Sequence, residues 1–130
     1  MSSALWGLWL FTSLIYQGNS LPPLNPNLKI SYQFEDSGVN TLRYFRVGEQ
    51  GFCERQAIYE FSGETLRQQV VWLHPENASW CGQDVDMQMG YESWSPAWLE
   101  DGKFHLAVMM GEENLIYVWE RSPTKGPQNF

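Results

Sequence analysis

The run ALWGLWLFTSLIY, residues 4–16, decides how the rest of the chain is read. One reading is a secretory signal. Its apolar core has a suitable length, and Gly18-Asn19-Ser20 offers a small-x-small cleavage site before Leu21-Pro22-Pro23. The other reading is a first β-strand carrying Gly7-Leu8-Trp9. A leader ordinarily opens with a basic region, yet no Lys or Arg precedes Lys29. Trp6, Trp9, Phe11 and Tyr16 also make an unusually bulky apolar core for a leader. The strand is therefore the favoured reading, and the segments that follow bear on it.

Outward from that run, the chain alternates. Leu28, Ile30, Tyr32 and Phe34 fall on one face of a period-two pattern, with Lys29, Ser31 and Gln33 on the other. Asp36-Ser37-Gly38 marks a turn, and a strand is expected over Thr41 to Val47. After the turn Gly48 to Gly51, Arg55 to Phe61 places Ala57, Tyr59 and Phe61 on one side. Ser62-Gly63-Glu64 predicts a hairpin returning through Leu66 to Leu73, which His74-Pro75 ends. Glu76 to Asp86 reads as a long polar loop, and Met87 to Leu99 as an irregular extended stretch interrupted by Gly90 and Pro96. Two more strands, Phe104 to Met110 and Leu115 to Arg121, complete the count. No stretch has helical periodicity.

With the N-terminal run included, about eight sequential strands are joined mainly by short hairpins. The expected fold is all-β, an eight-stranded antiparallel up-and-down barrel, because closure removes the exposed edges of a meander. Deleting the first strand would leave seven and an open edge, a further argument against the leader. Residues 1–121 read as one domain and 122–130, with Pro123, Gly126 and Pro127, as a flexible tail.

Composition narrows the partners. The chain has 130 residues, 43% hydrophobic and only 18% charged, which excludes disorder. Eight Lys plus Arg stand against 15 Asp plus Glu, a formal charge of −7 with no basic cluster. Nucleic acid is therefore not an expected partner. No apolar run has the length of a membrane-spanning helix. Seven Trp, six Tyr and seven Phe suit either a solid core or a cavity wall. The interior candidates for ligand contact are Tyr32, Tyr44, Tyr59, Trp72, Met87, Met89 and Tyr117.

Cys53 and Cys81 are the two cysteines, and both sit beside turn residues rather than in apolar strand centres. That context favours a disulfide over two reduced buried thiols, and with it an extracytoplasmic compartment, periplasmic or secreted. The cytoplasm is the alternative.

Gly7-Leu8-Trp9 on a first strand, a meander of eight strands and Arg121 at the end of the last strand together resemble the lipocalin or wider calycin group. The resemblance implies that Trp9 packs across the closed end of the barrel against Arg121. It also implies that the proline-rich segment Leu21 to Pro26 is the long first loop over the barrel mouth. The chain departs from that group in being short and in lacking a helix after its last strand.

Signals for catalysis are weak. The histidines, His74 and His105, read as a strand-end cap and an edge residue, and neither lies in a nucleophile or metal motif. Asp84-Val85-Asp86 lacks the spacing of a calcium loop and reads as solvated. No metal and no cofactor are expected. Asn77-Ala78-Ser79 fits the glycosylation sequon. The expected function is non-catalytic binding of a small apolar or amphipathic ligand in the barrel. The alternative is a filled, exported, disulfide-stapled barrel that acts as a structural or protein-interaction domain.

Overall fold

Alternation of side chains, not helical periodicity, organises the chain in three dimensions as well. The computed structural model describes residues 4–123; the expected tail beyond Pro123 lies outside the described residues. Nine strands follow in order: β1 (Gly7–Tyr16), β2 (Asn19–Leu21), β3 (Leu28–Phe34), β4 (Val39–Arg46), β5 (Cys53–Phe61), β6 (Thr65–Leu73), β7 (Glu92–Glu100), β8 (Lys103–Met110) and β9 (Glu113–Arg121). Every neighbouring pair is antiparallel, and β1 also pairs with β9, which closes an eight-stranded up-and-down barrel. The ninth strand is the short β2, which folds back on the end of β1.

The N-terminal run is a strand and the seam of the barrel. Gly7 to Leu10 pairs with β3, while Trp9 to Ile15 pairs with β9. Past Leu10 the ladder to β3 ends, and Leu14 to Tyr16 pairs with β2 instead. A bulge between Phe11 and Ser13 bends β1 where this exchange happens.

One end of the barrel is closed. Trp9 is 1% exposed, its ring lies beside Phe104, and its indole N–H donates to Leu5 O at 2.9 Å. Arg121 lies opposite Trp9 in the ladder, with its guanidinium 4.2 Å from the ring centroid. The same guanidinium donates to Trp6 O and, at 2.9 Å, to Ala4 O. The pair expected from the resemblance is thus formed, and the cation is shared between a π face and two carbonyls.

Gly7 has a physical reason to precede that pair. Its φ is +121°, and a Cβ there would lie 2.8 Å from Arg121 Nη1. Gly7→Ala is expected to cost about 1–3 kcal/mol, from backbone strain and displacement of the guanidinium. A urea unfolding midpoint equal to that of the parent protein would exclude this account of the glycine.

Strand bounds match the expected ones closely except at β2, where the sequence predicts no strand, and around β7. The stretch expected to be extended from Met87 begins instead as a 3-10 turn, Val85–Met87, after an earlier one over Ser79–Gln83. Gly90, at φ +85°, then turns the chain into β7. Pro96 is accommodated inside β7 because the strand changes partner there. Glu92 to Pro96 pairs with β6, and the ladder to β8 begins only at Ala97.

Candidate functional site

The interior has three levels, set by which residues alternate inward. Above the Trp9 floor, Phe34, Phe61, Phe104 and Trp119 pack edge-on or tilted against their neighbours. The second level is polar. Arg55, 1% exposed, continues the inward alternation of Ala57, Tyr59 and Phe61 by one step toward the chain start. It donates to Asn40 Oδ1 at 2.5 Å, to the Tyr32 hydroxyl at 3.0 Å and to Gln68 Oε1 at 3.3 Å. Gln68 Oε1 also accepts from Asn40 at 2.8 Å and from the Tyr32 hydroxyl. These neutral acceptors hold the buried cation, while its Nε has no protein partner. Burial pushes the Tyr32 phenol up, against the opposing field of Arg55.

The third level is made by the chain between β6 and β7. Cys53 and Cys81 are joined in a disulfide, with Cα atoms 5.7 Å apart. That bond ties the segment to the start of β5 and turns it into the barrel end opposite Trp9. Asn77 strengthens the tie: its side chain accepts from Glu54 N at 2.8 Å and donates to Glu54 O at 3.0 Å. The amide of the sequon is therefore engaged with backbone.

The solvated reading of Asp84-Val85-Asp86 is corrected by this arrangement. Asp84 accepts from the Tyr44 hydroxyl at 2.7 Å and from Asp86 N at 2.9 Å. Asp86 is half-buried; desolvation and the Asp84 charge raise its pKa, and Arg55 opposes them. Burial first, then the Asp84 hydrogen bond, pushes the Tyr44 phenol far up. Met87 follows at 2% exposure within the core. The staple draws these residues inward, which no local property of the loop would do.

What remains open at this end is an apolar cavity of 330 Å³ lined by Leu14, Tyr16, Leu21, Leu24, Met110, Glu113 and Leu115. Register places these strand residues on the inner face. Leu14 is opposite Tyr117 and Leu21, Tyr117 is opposite Leu106, and Met110 is opposite Glu113. Leu21 and Leu24 come from the proline-rich segment expected over the mouth. The cavity lies where β1 has left β3 for β2, so the β1 ladder that closes the wall lower down is missing there.

The seven expected ligand contacts fall elsewhere. Tyr32 sits in the polar level, and Tyr44 is bonded to Asp84. The Tyr59 hydroxyl donates to Glu35 O at 2.8 Å, near the closed end. Met87 fills core, and Tyr117 stacks on Phe11 at 4.4 Å. Two of the seven are not interior. Trp72 pairs with Gln56 on the outer face and packs on His74, because a bulge at Gln56/Ala57 shifts the β6 register. Met89 is 61% exposed, since the turn at Gly90 carries it away from the barrel.

His74 Nδ1 accepts from Glu76 N at 3.0 Å, as a strand-end cap. His105 is stacked on Trp98 at 5.3 Å. Among the described residues, no three His, Cys, Asp or Glu side chains converge as metal ligands, and no helix is long and apolar enough to cross a membrane.

The closed eight-stranded meander with its Trp9–Arg121 floor is an antiparallel up-and-down β-barrel. Its fold is similar to that of an uncharacterized protein from Bacteroides eggerthii DSM 20697, with a TM-score of 0.53 and 17% identity over 91% of this chain and 99% of that one. A mutant of the fluorescent protein UnaG aligns with a TM-score of 0.46 and 15% identity, over 95% of this chain and 100% of that one. No family model and no curated protein matches the sequence.

Proposed function

We propose that this protein is a lipocalin-like binding barrel that holds the apolar part of a small amphipathic ligand at its mouth and does not transform it. The observation that carries this reading is the 330 Å³ cavity, lined by four leucines, Tyr16, Met110 and Glu113. Its size falls at the lower end of the range of small-molecule sites, about 300–1,000 Å³. The packed levels beneath it restrict the ligand to the mouth. The disulfide supports an extracytoplasmic setting.

The neutral dye N-phenyl-1-naphthylamine tests the reading. Its emission is expected to rise and shift to the blue on titration with the protein. Leu115→Trp, which fills the cavity, is expected to weaken binding by about tenfold or more, as a lost apolar contact area of this size would. Leu24→Asp, at a position 66% exposed and so tolerant of a charge, is expected to weaken it too. Dye binding that neither substitution changes would place the dye elsewhere and end this proposal. The second reading, a filled structural or interaction barrel, draws on the packing of the lower interior. Absence of dye binding to the parent protein would favour it.

A further inference from the structure

Building on the binding reading above, we infer that the mouth cavity takes amphiphiles whose polar end is cationic, and discriminates against carboxylates. The geometry points there because, among the described residues, the cavity's one charged lining group is the carboxylate of Glu113, and no Lys, Arg or His lines it. Glu113 begins β9 directly after the turn that holds Glu112, so a second carboxylate adjoins it in the chain.

The other elements at this end do not compensate that charge. The β1–β2 hairpin contributes the Tyr16 hydroxyl, which lies against the Glu113 carboxylate and accepts from Gln17 Nε2 at 3.2 Å, and no charged residue between Tyr16 and Leu21. Residues 22–27 of the mouth segment are likewise uncharged. The stapled segment brings Asp84 and Asp86, and the field of Asp84 reaches Tyr117, the ladder partner of Leu14. Two cations carried by strand ends at this end, Lys29 in β3 and Arg46 in β4, are spent or turned away. Arg46 holds its guanidinium 5.0 Å from the Trp80 ring centroid, and Lys29 is exposed between Leu28 and Ile30, on the opposite side of the strand from them.

A ligand chain seated among the leucines must therefore carry its head past Glu113. An ammonium head meets a carboxylate and the oxygen of a phenol. A carboxylate head meets like charge in a partly apolar surround, where screening by water is reduced. The buried Arg55 cannot contact a ligand head there, because it is 1% exposed and its guanidinium is engaged by Asn40, Tyr32 and Gln68.

Displacement of N-phenyl-1-naphthylamine by three decyl compounds, decyltrimethylammonium, decanol and decanoate, tests the assignment at pH 7.5 and low salt. The ammonium is expected to bind about tenfold more tightly than the carboxylate, since an attraction and a repulsion of a few-fold each combine at a half-exposed rim. The alcohol is expected to fall between them. Glu113→Gln is expected to bring the ammonium and carboxylate affinities within about twofold, and raised salt to move the parent protein the same way. Equal affinities in the parent protein, or a preference that survives Glu113→Gln, overturn the head-group assignment and leave the cavity reading standing. Failure of all three to displace a bound dye overturns both.

Discussion

Trp9→Ala is expected to remove about 3–5 kcal/mol of stability, a large share of what a domain of this size possesses. The substitution deletes a ring that is 1% exposed and lies between Phe104 and the Arg121 guanidinium. It also leaves the Leu5 carbonyl without its indole donor and Arg121 without its π face. The void cannot easily collapse, because strands on both sides, β3 and β9, are held to β1 by ladder bonds. Urea unfolding of the parent, Trp9→Phe and Trp9→Ala proteins checks this, with Trp9→Phe expected to lose much less. A loss under about 1 kcal/mol for Trp9→Ala would mean that Trp9 does not close the barrel.

Replacing both cysteines by alanine is the second large effect expected, roughly 3–4 kcal/mol. The bond closes a loop with a sequence separation of 28, and the chain-entropy relation converts that length to this magnitude. Both cysteines are buried, so lost packing adds to the entropic part. A local signature should accompany the global one. Without the bridge, residues 79–90 are held to the mouth mainly by Asn77 on Glu54, Tyr44 on Asp84 and the burial of Met87. Amide hydrogen exchange over 79–90 is expected to accelerate more than exchange in β3 and β4. Uniform acceleration, or a parent protein whose mass shows two alkylatable thiols without reductant, would contradict the role assigned to the staple.

Much of the fold is legible along the chain because a barrel strand displays itself locally. Leu28 to Phe34 and Arg55 to Phe61 alternate, and the intervening turns carry glycines at positive φ, such as Gly38 and Gly63. Gly7 and Trp9 are legible through the resemblance their pairing carries, which implies a ring buried at the closed end. The site is harder to see. Arg55 extends the inward alternation of its strand by one position, so its burial was within reach of the same pattern; its charge argued for solvent. Asp84 and Asp86 look like an ordinary polar loop until a bond to Cys53, far away in the chain, carries them inward.

The cavity lining shows the same limit from the other side. Leu14, Leu21, Leu24, Met110 and Leu115 are unremarkable apolar residues near strand ends, while Tyr32, Tyr44, Tyr59 and Tyr117, which suggested a binding wall, are used in filling the barrel. Only the exchange of β3 for β2 as the partner of β1 exposes those leucines to a shared space.

By itself, then, the sequence of this protein determined an all-β meander and, outside residues 74–91, the approximate bounds of its long strands. These follow from side-chain period, turn chemistry and steric need, which act over a few residues. The tertiary structure alone decided which inward residues are core and which face a cavity, where the disulfide places its loop, and which charge guards the mouth. Those outcomes depend on strand register and closure, which bring together positions more than a hundred residues apart, such as Trp9 with Arg121 and Leu14 with Leu115.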